Sequence, residues 1–573
     1  MDVFSSTRHP TPDIIPSPYK PTYLTWTILT IIVVALTTRL LTSAKTSATT
    51  HTKNGHPVET IPRIPYYLPY LSHLPSMAWD STFTRRLRDQ HQDGAFALDL
   101  LGMKHNIIFS PSLITALLNQ PPEHVSAQPV RTKLLTNVFG MPSSSYERKV
   151  WEAAMPDLQA CDRDLDQEPT LGETVDRTIR NLKSSISSLV SGAESLVDQS
   201  TWERNAGVEM KRDALGEEVV ETTLRPLIRD FVARITTTTL MGETFVEKFE
   251  ALWEDFWTVD RSYWLLALGW PRWVPLPGLT RAHIARKRVL EMLEAFHEAM
   301  EKQAKGEDAG AEWLELEDVS TLLKERTNVY RKHGLSMRAR AALDLSLVWA
   351  ANTNANALVF SMLHHIYASP EVLSRIRQEI APFAQVVQPK QEFPIPEPSR
   401  LESVDAGGLC EGCPLLKSCY TESLRLDTAP WSTRFVEQDC VLQSKEGQTC
   451  WLLRKGEYVH AAHDLHGIDS EYFHDPLVWK ADRHIRPDGD EKRAAVDLGP
   501  IPSFRSGELV SPGRDLVVKE VMCFVAAIIA LWDIEPANGG KWRMPQPRTA
   551  AGVYGTSNST RVWVKRRQLP QSN

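Results

Sequence analysis

Between Tyr23 and Leu41 the chain reads YLTWTILTIIVVALTTRLL, a nineteen-residue, mostly apolar run interrupted only by threonine until Arg39. At 1.5 Å per residue such a run spans roughly 28 Å, about one hydrocarbon core. It either crosses a membrane or is removed as a signal peptide, and its surroundings favour crossing. Thr42-Ser43-Ala44 offers small residues for cleavage, but the run is long for a signal segment and its leader carries Asp2 and Asp13. Tyr23 and Trp26 suit one interface and Arg39 the other. Arg39, Lys45 and Lys53 follow the span, against Arg8 and Lys20 before it, which orients the bulk of the chain toward the cytosol. Seven cysteines in 573 residues are too few for a disulfide framework and agree with a reducing compartment.

The chain therefore divides into a tail (1–22), a transmembrane anchor (23–41), a linker (42–75) and a large body (76–573). Pro57, Pro62, Pro65, Pro69 and Pro75 make the linker a semi-rigid extended segment able to set how the body sits on its membrane. With 42% hydrophobic and 24% charged residues the body is no disordered chain. Its 64 basic and 71 acidic residues give a net charge of −7, which argues against nucleic acid as a partner. No fixed-period repeat is visible, which excludes a solenoid or propeller.

Within the body, periodicity predicts helices over 82–90, 113–118, 224–239 and 281–303, and short strands at 95–101 and 105–109 around Gly102. Trp253, Trp257, Trp264, Trp270 and Trp273 crowd one stretch. They read either as ordinary core aromatics or as an apolar lid over a greasy pocket or a membrane surface. The longest periodic apolar segment runs from Leu335 to Gln378, and within it Asn352-Thr353-Asn354 interrupts a stretch apolar enough to be buried. Unpaired buried amides cost about 1–3 kcal/mol each, so these residues either form a cross-helix hydrogen-bond network or make a polar notch facing a ligand. Cys410, Cys413 and Cys419 lack a second paired half and a nearby histidine, so they read as packed thiols, not as a metal site.

The identifying pieces come late in the chain. Glu422-x-x-Arg425 places two side chains one helical turn apart. A strand follows at Thr433-Arg434-Phe435-Val436, then a hairpin at 440–453 and a strand at Tyr458-Val459. Next come His466 to Pro476, Trp479 and Ala481-Asp482-Arg483, and last Phe504-x-x-Gly507-x-x-x-Ser511-x-Gly513 leading into an apolar helix. In this order and spacing the chain resembles the cytochrome P-450 superfamily. LVWAANTNANALVF looks most like the central helix of its prostacyclin-synthase and sterol-7-hydroxylase-like branch, a look shared by fungal biosynthetic members. The resemblance implies a mainly α fold with small β-sheets (α+β) behind one N-terminal transmembrane helix. It also implies a buried structural triad of Glu422, Arg425 and Arg483, and a single-pass place in the endoplasmic reticulum membrane with the main domain cytosolic.

Two departures bear on function. The family's proximal loop carries a cysteine thiolate as axial haem ligand; here Phe504, Gly507 and Gly513 keep the frame while Ser511 takes the ligand position. A thiolate donates electron density to iron and favours O–O cleavage, whereas a neutral hydroxyl is a poor ligand. As a local reading, Ser511 at an N-cap with Pro512 behind it makes a good helix start. Also, Asn352, Thr353 and Asn354 include no carboxylate for proton delivery, although hydroxylases of the resembled branch also use Asn there. His484 stands where the family usually has Phe.

The expected function is a membrane-anchored enzyme of secondary-metabolite biosynthesis acting on a hydrophobic small molecule such as a terpenoid or polyketide, beside other pathway enzymes. The favoured reaction is a redox-neutral cyclisation, cycloaddition or rearrangement, with Asn352, Thr353 and Asn354 as the pocket's polar groups. The alternatives are a haem monooxygenase with non-thiolate ligation at Ser511, its haem held by Phe504, Gly507, Ser511 and Gly513, and a non-catalytic ligand-binding or scaffold protein.

Overall fold

A computed structural model describes residues 23–43, 51–53, 56–213, 215–313, 316–389, 398–429, 431–444, 450–486, 513–543, 547–556 and 560–568. The N-terminal apolar segment is one helix, α1 (Tyr23–Ser43), long and apolar enough to cross a membrane. Its C-terminal end is docked. Thr42 is buried, its hydroxyl lies 3.2 Å from both the carbonyl and the amide of Tyr66, and Arg39 reaches the Pro65 carbonyl while lying 5.0 Å over the Tyr67 ring.

Helix α2 (Phe83–Gln90) leads into strands β1 (Ala95–Leu100) and β2 (Met103–Ile108). They form a two-residue hairpin, because Leu101 and Gly102 both take positive φ (52° and 80°), the geometry that matches strand twist. Strand β3 is Val125–Ser126, and helices α3 (Gln128–Asn137), α4 (Ser145–Asp164), α5 (Thr170–Ser185), α6 (Leu224–Met241), α7 (Leu252–Arg261) and α8 (Leu279–Ala304) follow. Then come α9 (Thr321–His333), α10 (Met337–Thr353), α11 (Ala355–Tyr367), α12 (Pro370–Ile380) and α13 (Pro414–Leu426). Strands β4 (Trp431–Val436) and β5 (Tyr458–Ala462) and helix α14 (Arg514–Leu531) complete the part that positions the site.

The main sheet has the order β1-β2-β5-β4-β3, with β2 and β5 parallel and the other pairs antiparallel. The hairpin expected at 440–453 forms, but joins a different sheet, so β4 and β5 pair directly across it. A second sheet aligns Trp532–Pro536 and Arg561–Arg566 with Glu218–Thr223 and Glu209–Arg212, bringing the late chain beside the middle.

The apolar segment predicted over Leu335–Gln378 is three helices. The first break is at Asn354, after Thr353 Oγ1 bonds back to the Trp349 carbonyl at 2.8 Å, a contact that bends helices. The second is at Ala368-Ser369, because Pro370 lacks an N–H and fits only a helix start. The position of α10 is set by a buried charge network that the sequence reading did not foresee. Asp344 Oδ2 lies 2.9 Å from His297 Nε2 on α8, and its Oδ1 accepts from the Tyr330 hydroxyl (2.5 Å) and Arg326 Nε (3.3 Å) on α9. Arg326 also bonds Asp162 on α4 at 2.6 Å.

The tryptophan stretch divides. Trp253 and Trp257 are core residues of α7, whereas Trp264 and Trp273 are 54% and 78% exposed. Cys413 and Cys419 are buried thiols, and burial pushes Cys413 up to about 12.

Candidate functional site

Helix α10–α11 is buried along most of its length: Leu345, Val348, Asn352, Ala355 and Asn356 are all covered. Ala350 and Asn354 are nonetheless exposed, and Thr353 and Ala357 partly so. Residues four apart share a helix face, so Ala350 and Asn354 mark the exposed side of this helix. The three predicted polar residues part company here. Asn352 turns inward, donating from Nδ2 to Thr237 Oγ1 on α6 (3.0 Å) and to the Val348 carbonyl (2.9 Å). Thr353 is spent on its back-bond to the helix. Asn354, at the break between α10 and α11, is exposed.

One residue before Ala350 an aromatic wall is fixed in place. Trp349 stacks on Tyr263 with ring centroids 4.8 Å apart, meets Phe139 edge-on at 5.6 Å, and donates from Nε1 to Asp260 Oδ1 of α7 at 3.1 Å. Burial raises the Asp260 carboxyl against the pull of Trp349 and nearby arginines, and pushes the Tyr263 phenol up to about 12. Of this wall only Tyr263 and Trp349 sit in motifs that stood out by composition, and Asp260 carried no sequence signal. A surface groove of about 550 Å³ between α7 and α8 takes no residue from α10 or α11 and is a separate feature.

On the other side of the core, Glu422 and Arg425 of α13 form a bidentate pair at 2.8 and 2.9 Å, and Arg483 Nε reaches Glu422 Oε1 at 2.8 Å. His484 adds a fourth member, its Nε2 3.0 Å from Glu422 Oε2. Arg425 also donates to the Gly467 and Pro476 carbonyls, tying α13 to the segment before Arg483. Burial opposes the Glu422 charge, but the hydrogen bonds from Arg425, His484 and Arg483 hold its carboxyl well below the usual range.

Phe504, Gly507 and Ser511 lie outside the described residues; Gly513 lies within them. The local reading that makes Ser511 the cap of the last helix is corrected: α14 begins at Arg514 with Gly513 as its N-cap in the left-handed region (φ 78°). The capping acceptor is Asp166, from the turn after α4.

A haem needs partners for its two acidic arms and a ligand for its iron. The first requirement fits. Arg131 of α3 and Arg434 of β4 are half-buried or more, burial and the Arg131 charge lower Arg434, and among the described residues no carboxylate forms an ion pair with Arg434. The second does not fit a thiolate, because position 511 is serine and the amides just beyond it are taken by Asp166.

A mainly helical body with a small mixed sheet, a broken central helix and a buried Glu-Arg-Arg centre defines the protein class, and the comparisons agree. The family model for cytochrome P-450 matches residues 208–554, and the chain belongs to that family. It is 23% identical to a cytochrome P-450 monooxygenase of Gibberella zeae, over 56% of this chain and 56% of that protein. It is 25% identical to the cytochrome P-450 monooxygenase poxD of Penicillium oxalicum over 59% of the chain and 64% of the relative. Cytochrome P-450 7A1 of Sus scrofa is 25% identical over 39% of the chain and 45% of its own length. The chain thus spans about half to two thirds of the length of these curated relatives.

Proposed function

We propose that the chain is a membrane-anchored enzyme that carries out a redox-neutral cyclisation, cycloaddition or rearrangement on a hydrophobic small molecule, of terpenoid or polyketide type. The observation that carries this reading is the pairing of an exposed Asn354 at the helix break with a proximal helix end whose donors are already occupied. Such reactions need a substrate held in one reactive conformer, which can contribute roughly 7–11 kcal/mol in intramolecular cases. The stacked Trp349–Tyr263 wall supplies a rigid apolar surface, and Asn354 a hydrogen-bond donor for a carbonyl that gains charge in the transition state. Neither role needs an external electron donor.

The α1 helix, the exposed Trp264 and Trp273, and the docked linker support a single-pass place in the endoplasmic reticulum membrane with the body on the cytosolic side. Other enzymes of the same biosynthesis are the partners this setting favours.

The half-buried Arg131–Arg434 pair favours a second reading, a haem monooxygenase with a non-thiolate ligand. The two readings separate on the purified full chain in detergent. Conversion of substrate without nicotinamide cofactor or reductase, with no thiolate-type Soret band, is the expected result; activity that stops without an electron donor sinks the first reading. Asn354→Ala is expected to lower kcat on the order of 10²-fold with the fold intact, and Asn352→Ala to lower the melting temperature instead.

A further inference from the structure

The groove of about 550 Å³ between α7 and α8 carries charges that the chain itself leaves unmatched. Glu254 and Asp255, from the first turn of α7, line one side, and Arg281 and Arg288 of α8 line the other. Thr258 and Thr280 add hydroxyls, and Ile284 and Ala285 an apolar patch. Asp255 and Arg288 meet only loosely, at 3.6 Å, with the arginine side chain 62% exposed. Among the described residues neither Glu254 nor Arg281 makes an ion pair; each lies instead near a like charge, Glu254 near Asp255 and Arg281 near Arg261. Burial also raises the Asp255 carboxyl, against the pull of Arg288. The groove opens beside the tryptophans assigned above to the membrane side. The Thr280 hydroxyl donates to the Arg272 carbonyl at 2.9 Å, next to the exposed Trp273, and the His283 ring lies 3.0 Å from the Trp270 carbonyl. A Cβ on Gly278 would sit 3.8 Å from the Leu265 side chain, next to the exposed Trp264.

We propose that this groove binds the headgroup of an aminophospholipid, its primary ammonium against Glu254 and Asp255 and its phosphate against Arg281 and Arg288. The assignment rests on the membrane placement proposed above, which supplies the lipid. Opposite charges held apart on facing helices call for a ligand that carries both. A purely anionic headgroup would meet the two carboxylates, and a lone cation the two guanidiniums. Guanidinium groups pair with phosphate bidentately, and a primary ammonium brings three N–H donors to the carboxylates. A quaternary ammonium has no such donor and is recognised over aromatic faces. Among the described residues no aromatic side chain lines this groove, so ethanolamine is preferred over choline. The site takes no part in the chemistry of the central helix.

The test places the full chain in nanodiscs of phosphatidylcholine with a minor fraction of phosphatidylethanolamine, and identifies by native mass spectrometry the lipids that stay on the released protein. Phosphatidylethanolamine is expected to be enriched on the order of tenfold over its share of the bilayer, the scale of one charge-assisted hydrogen-bond set. Glu254→Gln and Arg281→Gln, both at exposed side chains, are each expected to return the retained lipid toward the bilayer composition with the melting temperature unchanged. In a parallel bilayer phosphatidylserine, which adds a carboxylate, is expected to be retained no better than phosphatidylcholine. Equal retention of ethanolamine and choline lipids, or an enrichment that both variants leave in place, overturns the proposal. Preferential retention of phosphatidylserine makes the surface a plain basic patch and overturns it too. So does displacement of the lipid by an equal concentration of free O-phosphoethanolamine, which would assign the groove to a soluble phosphoamine. Entry into the nanodisc reads the membrane placement by itself: a chain that stays out overturns both readings, whereas one that enters without enrichment overturns the groove assignment alone.

Discussion

Replacing Glu422 by alanine is expected to destabilise the protein by about 3–5 kcal/mol, enough to abolish most folded expression. The side chain is fully buried and joins Arg425, Arg483, His484 and the Lys480 amide. Its loss leaves the Arg425 guanidinium, also fully covered, without a carboxylate in a place where water cannot replace it. Glu422→Gln separates charge from packing: it keeps the volume and is expected to recover part of the loss. The pH dependence has a definite sign. A carboxyl held below its unfolded value contributes stability that is complete above the unfolded pKa of about 4.3 and fades as pH falls toward the folded value. Wild type is therefore expected to lose stability in acid more steeply than Glu422→Gln below about pH 5. Chemical denaturation at a series of pH values measures this, and parallel curves for the two proteins would contradict the assignment.

Asp344→Ala is expected to cost a similar amount, about 3–5 kcal/mol, and to loosen the central helix specifically. Asp344 receives His297, Tyr330 and Arg326, and through Arg326 reaches Asp162, so one carboxylate fixes α10 against α8, α9 and, indirectly, α4. Because Ala350 and Asn354 lie on the helix that Asp344 anchors, the change should disturb its exposed side from a distance. The pairing of Asp344 with Arg326 is isolated by the double variant Asp344→Ala/Arg326→Met. Removing both charges is expected to be less damaging than removing Asp344 alone, since no cation is left buried. Thermal melting of the four proteins closes the cycle. Strictly additive losses would show that the pair is not coupled.

The legible part of the chain was what depends on neighbours in sequence. The apolar run at Tyr23–Leu41 gave α1, the alternation around Gly102 gave the β1–β2 hairpin, and the ordered Glu422–Arg425–Arg483 spacing pointed to the family that the match over 208–554 then showed. Each rests on a period, a turn or a one-turn helical spacing, which local residue types impose wherever the chain lies.

What the sequence could not reveal was partnership between distant segments. Asn352, Thr353 and Asn354 are adjacent letters of similar polarity, yet a helix turns each by about 100°, and only packing against α6 decided that Asn352 is buried and Asn354 faces out. His484 read as a departure from a family pattern until the fold set its ring 3.0 Å from Glu422. Asp166 had no signal at all, because a carboxylate in a turn becomes a helix cap only when tertiary structure brings an amino terminus 347 residues away to within 2.9 Å. Sequence by itself determined the long apolar N-terminal helix, the family and the absence of a cysteine at position 511. The tertiary structure decided which polar groups are buried and which are exposed, and which charge occupies the end of α14, because burial and hydrogen-bond partners are properties of the packed chain.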